Sequence, residues 1–186
     1  MRKVFLFNMV SLDGYFEGPN QDISWHNVDA EFNDFAIKQL DEIGALLFGR
    51  VTYQLMASYW PTPMAREDDP VVADKMNRLP KVVFSRTLDK LEWENSKLVK
   101  DHAAEQVSEL KQQPGKDLAI FGSSDLAVSL MRTGLIDEFR VMVNPVVFGG
   151  GKPLFKGIDN RVKLKLVNSR PFRSGNVLLY YELEQG

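Results

Sequence analysis

Leu46-Leu47-Phe48-Gly49-Arg50-Val51-Thr52-Tyr53 is an apolar run that stops at a glycine and gives way to an arginine, a hydroxyl and an aromatic ring. It reads as a buried strand ending at Gly49, with a helix starting at about Arg50 to Thr52. At such a junction unpaired backbone N–H groups and the positive end of a helix dipole converge, which suits a phosphate. Arg50 adds a guanidinium fork and Thr52 a hydroxyl.

Similar apolar runs lie on both sides of this stretch, at Val4–Val10, Val82–Ser85, Leu118–Phe121 and Phe139–Val143. Runs of this kind are expected of strands buried on both faces. Helical spacing separates them: Val28, Phe32, Phe35, Ala36, Leu40 and Ile43 share one face, with Asn27 or Asp29 as N-cap. Val107 and Leu110 mark a second helix that Asp101 caps, and Ser123 or Ser124 opens a third that ends at Gly134. The Pro-rich stretch from Trp60 to Pro70 reads as a mobile loop. Residues 162–166 then alternate strictly and Val177–Leu183 forms a last strand, so the two pair antiparallel near a sheet edge. The pattern predicts a single α/β domain over residues 1–186, with a mostly parallel sheet and an antiparallel C-terminal hairpin.

Open α/β sheets bind ligands beyond the carboxyl ends of their strands, so each strand exit is a candidate site. The first is Ser11-Leu12-Asp13-Gly14-Tyr15, where Asp13 either relays a proton and contacts a substrate or simply makes an Asp-Gly turn. The second is the Gly49–Thr52 junction. The third, Ser85-Arg86, suits a second phosphate such as the one that distinguishes NADP from NAD. At the fourth, Gly122 allows close backbone approach, and Ser123 or Ser124 caps the helix and meets a pyrophosphate. The fifth is Phe148-Gly149-Gly150-Gly151-Lys152-Pro153-Leu154-Phe155, a close-approach turn or a plain loop between strands. Trp25, Phe32 and Trp60 offer stacking faces to a flat heterocycle, although Phe32 also falls on the core stripe of its helix.

Composition narrows the chemistry. The net charge is -2, so no global basic field recommends nucleic acid or an anionic membrane, and any anion site is local. There is no cysteine, which excludes thiolate chemistry and disulfides and is compatible with a reducing cytoplasm. The two histidines, His26 and His102, are far apart in sequence, so no metal site is expected. His26, beside Trp25, reads as a loop residue making a local hydrogen bond. No GxSxG elbow, P-loop or GxGxxG fingerprint occurs.

Taken in order, these stations resemble the dihydrofolate reductase-like superfamily. The likeness is nearest to stand-alone relatives of the C-terminal reductase domain of the bifunctional riboflavin-biosynthesis deaminase-reductase. Ser11-Leu12-Asp13-Gly14 is similar to that family's first-strand motif, and Gly49-Arg50-Val51-Thr52-Tyr53 to the cofactor motif of dihydrofolate reductases. Ser85-Arg86 resembles their post-strand pair, Gly122–Leu126 their glycine turn before the pyrophosphate helix, and Phe148–Phe155 the riboflavin-reductase glycine turn followed by Pro-Leu-Phe. The resemblance implies a three-layer α/β/α fold, a homodimer and hydride transfer from NADPH to a small heterocyclic substrate. Gly49, Arg50, Thr52, Ser85, Arg86, Gly122 and Ser123 would hold the cofactor, while Asp13 and Trp25 would face the substrate. Two rival readings remain at this stage: a catalytically silent nucleotide-, pterin- or flavin-binding module on the same fold, and an interaction module whose glycine turns are merely structural.

Overall fold

The computed structural model describes residues 1–184. Its centre is β1 (Val4–Ser11), seven of whose eight residues are buried. β1 lies between β6 (Asp117–Phe121) and β7 (Glu138–Asn144), parallel to both. Beyond β6 come β3 (Ile43–Gly49), β4 (Lys81–Phe84) and β5 (Ser96–Val99), also parallel. On the other side β10 (Val177–Leu183) and β9 (Leu164–Pro171) are antiparallel, giving the order β5-β4-β3-β6-β1-β7-β10-β9. A separate ribbon pairs β2 (Tyr15–Glu17) with β8 (Lys152–Pro153).

The near-continuous apolar strands are explained by packing on both faces. Val4, Leu6, Leu47, Leu118 and Ile120 form one cluster with Val107 of α5 (Ala103–Gln112) and with Leu126 and Leu130 of α6 (Ser124–Arg132). Phe5, Leu46, Phe48 and Val83 form another with Leu40 of α1 (Ala30–Asp41), Tyr53 of α2 (Arg50–Tyr59) and Met76 of α4 (Pro70–Arg78). This is the expected three-layer α/β/α arrangement with an antiparallel C-terminal hairpin. Among the described residues, no helix is long and apolar enough to cross a membrane.

Several local readings are corrected. Val28 precedes α1 and is exposed, while Ile43 already belongs to β3, so the apolar stripe of the helix is shorter than its spacing implied. The Trp60–Pro70 stretch is not an open loop. It contains α3 (Pro63–Asp68), which Thr62 caps, and leads directly into α4, which Asp69 caps. Pro63 and Pro70 sit at the first helical position, where proline's missing N–H has no intrahelical partner to lose. Asp101 does not cap α5; His102 takes that position in a left-handed conformation, and Asp101 pairs instead with Arg86.

Lys81 starts β4 and is 1% exposed. Its ammonium donates to the carbonyls of Asn77, Leu79 and Glu94 and lies over the Trp93 ring. Removing it would leave buried acceptors without donors. Lys81→Met is therefore expected to lower the unfolding free energy by roughly 2–4 kcal/mol, measured by urea denaturation.

Candidate active site

Because β4, β3, β6, β1 and β7 run parallel, their carboxyl ends line one edge in spatial order. Neighbouring strands are ~4.8 Å apart, so the edge from β4 to β1 spans ~14 Å. Along it stand Ser85-Arg86, Gly49-Arg50, Gly122-Ser123 and Ser11–Asp13. The sequence candidates for cofactor contact and Asp13 thus share one edge of the sheet.

Two of these exits are fastened to each other. The Gly49 N–H donates to Ser123 Oγ at 2.8 Å, and the Ser123 N–H donates to Thr52 Oγ1 at 2.9 Å. Gly122 has φ +62°, and a Cβ there would lie 2.9 Å from Thr52 Cγ2, so both backbone and packing demand glycine. Its freedom therefore admits Thr52, the close approach expected of a ligand being taken by the protein itself. Ser123, also left-handed, does not cap α6 with its side chain, because its oxygen serves Gly49.

Capping follows position. α1, α3 and α4 do not begin at a strand exit, and all three are capped by side chains: Asp29, Thr62 and Asp69. α2, α5 and α6 begin within four residues of the ends of β3, β5 and β6, and none has a side-chain cap. Near the start of α6, two buried polar atoms have no partner among the described residues, Asn8 Nδ2 and Ser124 Oγ. The Asn8 side chain shares its face of β1 with Leu6, which packs in the α6 cluster, and Asn8 follows the Phe7–Phe121 pair. Asn8 escaped the sequence reading, although it is the one polar residue inside the Val4–Val10 run.

At the β4 and β5 ends a cavity of about 190 Å³ is lined by Ser85, Arg86, Lys100, Asp101 and His102. Ser85 Oγ accepts from the N–H groups of Thr87 and Leu88, which fixes the turn, and lies 3.4 Å from the Thr87 hydroxyl. The Arg86 Nε reaches Asp101 at 3.2 Å with both side chains exposed, a contact that solvent weakens and an anion can displace. Arg50 is exposed and reaches only Gln54, at 3.3 Å.

The candidate substrate side, around Asp13 and Trp25, is built from loops. Asp13 accepts from Ser11 Oγ at 2.7 Å, from the Gly149 N–H at 2.7 Å and from the Phe148 N–H at 3.2 Å. The Ser11 hydroxyl first, then the Gly149 N–H, hold its carboxyl below the ordinary range, so it is an ionised acceptor at neutral pH. The Asp-Gly turn and the glycine-rich loop are thereby one unit. Phe148 carries the Trp25 ring on its own, 5.2 Å between centroids, and Trp25 meets His26 at 4.5 Å. Trp25 also donates from Nε1 to the Asp22 carbonyl. Burial pushes the His26 imidazole down to about 4, so it is neutral at physiological pH. The local bond expected of His26 comes from its backbone N–H, to Ile23, while its Nε2 has no partner in the protein. Trp60 lies elsewhere, against the Met56 sulfur and in the cluster beneath α2.

This fold, with its row of strand exits, defines a dihydrofolate reductase-like protein. A family model described as the RibD C-terminal domain matches residues 2–178, and the chain belongs to that family. The Bacillus subtilis (strain 168) uncharacterized protein YyaP is 37% identical over 186 residues, covering 97% of this chain and 94% of that protein. Among solved structures, a Shewanella sp. PV-4 protein named provisionally for riboflavin biosynthesis superposes with a TM-score of 0.75 at 21% identity, covering 98% and 99% of the two chains. The Thermotoga maritima diaminohydroxyphosphoribosylaminopyrimidine deaminase/5-amino-6-(5-phosphoribosylamino)uracil reductase gives 0.72 at 17% identity, covering 98% of this chain and 57% of that one. Dihydrofolate reductase from Enterococcus faecalis, solved with NADP(H), gives 0.65 at 15% identity, covering 98% and 97%.

The Asp13 contacts have an acid signature. Its native pKa lies below its ordinary value of 3.8, so its contribution to loop order is complete above that value. The contribution is lost as pH falls through the lower native value. Asp13→Ala is expected to lower the protection of the Phe148 and Gly149 amides from hydrogen exchange at neutral pH, relative to intrinsic rates, and to abolish the loss of that protection at acid pH. Unchanged exchange would remove the clasp.

Proposed function

We propose that residues 1–186 form one NADPH-dependent reductase domain acting on a small pterin-, flavin- or aminopyrimidine-like heterocycle. The observation that carries this reading is the row of three helix starts without side-chain caps along a single sheet edge, beside the exposed guanidinium of Arg50, which is held there by Gln54. Helix N-termini left open in this way favour anions, and a row of them favours an extended one. Two further features support the fit of a dinucleotide: the unpartnered Asn8 Nδ2 and Ser124 Oγ near the start of α6, and the Arg86-lined cavity at the far end.

Arg50 and Arg86 neutralise phosphates, and Thr52 and Ser85 give hydroxyl hydrogens. Gly49, Gly122 and Ser123 shape the backbone between them. NADPH, when bound, supplies the hydride. The protein needs no nucleophile for such a transfer; it orients the reactants, excludes water and admits one proton. Asp13 serves as a positioning carboxylate that holds the glycine-rich loop over the substrate side, with Trp25 in the wall behind it. With Asp13 ionised, the proton comes through water.

That same ionised carboxylate favours one alternative, a silent binding module on the same fold, because no protonated group of the site is in view. NADPH oxidation across a panel of pterins, flavins and aminouracils separates the two: the reductase consumes the nucleotide with at least one of them, the silent module only binds. NADPH is expected to give a saturable change in nicotinamide fluorescence, and no change at millimolar concentration would end the cofactor reading. Arg86→Ala is expected to weaken NADPH about tenfold, with NADH much less affected. Equal losses for both nucleotides would remove Arg86 from the 2′-phosphate. A homodimer is proposed on the family likeness alone, and light scattering at twice the 21.2 kDa chain mass checks it.

A further inference from the structure

Asp101 stands just before α5, where a short acidic side chain ordinarily caps a helix. It does not do so: His102 holds the cap position in a left-handed conformation, and no side chain bonds to the helix start. Among the described residues the one partner of the Asp101 carboxylate is Arg86, at the neighbouring exit of β4. Both side chains line the cavity of about 190 Å³ that Ser85, Lys100 and His102 share.

The charges around this cavity cancel. Arg86 Nε meets Asp101 at 3.2 Å, Lys100 Nζ meets Asp89 at 3.2 Å, and His102 Nδ1 lies 3.6 Å from Glu105. Two permanent positive charges, Arg86 and Lys100, are thus set against three carboxylates, and the imidazole adds a charge only when protonated. A pocket shaped only to attract an anion would leave its cations unmatched. Asp89 and Glu105 stand outside the lining, and Asp101 is the one carboxylate within it. It takes the place an entering anion would take, against the guanidinium and at the start of a helix, whose dipole favours negative charge.

We propose that Asp101 is a specificity-determining residue of the nucleotide site, a resident carboxylate that competes with the 2′-phosphate for Arg86 and holds down the preference for NADPH over NADH. The proposal rests on the reductase reading above and deepens it. NADH brings a 2′-hydroxyl to this cavity and leaves the Arg86–Asp101 pair intact. NADPH brings a phosphate with nearly two negative charges at neutral pH, which takes the guanidinium from Asp101 and then lies beside it. That exchange is open because the two side chains are 83% and 63% exposed, and exposed pairs are weak. The repulsion between phosphate and carboxylate remains after it.

Asp101→Asn keeps the shape of the side chain and removes its charge. The test titrates NADPH and NADH into the full-length protein at low salt, followed by nicotinamide fluorescence. NADPH is expected to bind Asp101→Asn about fivefold more tightly than wild type, with NADH within about twofold. Asp101→Glu, which keeps the charge, should stay within about twofold of wild type for both nucleotides. At about 1 M salt the screening length falls to about 3 Å, so the ratio between Asp101→Asn and wild type should shrink to less than about twofold. The proposal is overturned, and the cofactor reading stands, if NADPH binds wild type and Asp101→Asn alike, if NADH gains as much as NADPH, if Asp101→Glu gains like Asp101→Asn, or if the gain survives high salt. NADPH that binds Asp101→Asn and not wild type supports the proposal. If neither nucleotide binds any of the three proteins, the cofactor reading falls and this proposal with it.

Discussion

The lock between Gly49, Thr52 and Ser123 is the constraint on which the rest of this edge depends. Two adjacent parallel strands, β3 and β6, each turn into a helix, and nothing in the sheet itself fixes how those helices start relative to each other. Two hydrogen bonds and one glycine do so. The Ser123 hydroxyl and N–H are both consumed across the gap between strands, which is why α6 begins without a side-chain cap. Capping energy of about 1 kcal/mol is thus forgone at this helix start. The same geometry leaves the start of α6 without a side-chain cap, the feature on which the proposed anion site rests.

The edge proposed for the cofactor and the side proposed for the substrate are built by different physics. The former is backbone geometry at strand–helix junctions, tied to a core whose strands are buried on both faces. The latter is side-chain amides, a carboxylate clasp and aromatic edges joining loops: Asn27 to Asn144, Asp13 to Gly149, Trp25 to Phe148. Loops can change without disturbing the sheet, so one fold can keep its strand-exit edge while the loops opposite it vary.

This division also governs what was legible in the sequence. The central strands were readable because burial on both faces demands unbroken apolar runs, and the C-terminal hairpin because an edge pair alternates. β5 was not, being four residues long with only Val99 buried. α3 and α4 were hidden by prolines that read as helix breakers but stand at helix starts. At the site, residue types were legible and their duties were not. Thr52 and Ser123 looked like ligand contacts and turn out first to hold each other, a pairing 71 residues apart that no local pattern encodes.

The acids of the substrate side show why residue type alone could not name the substrate. Asp29 caps α1 through the Phe32 N–H. Glu31 is held below the ordinary carboxylate range, first by the Arg173 N–H and then by Arg170, and ties α1 to the C-terminal hairpin. Asp13 is filled by Ser11, Phe148 and Gly149. Each is an acidic residue in a suggestive place, and each already accepts from the protein: one N–H at Asp29, two donors at Glu31 and three at Asp13. A carboxylate in that condition organises the walls of a site and has little left to offer a cationic ring. On the proposed function, recognition of the substrate then rests on groups other than these three carboxylates.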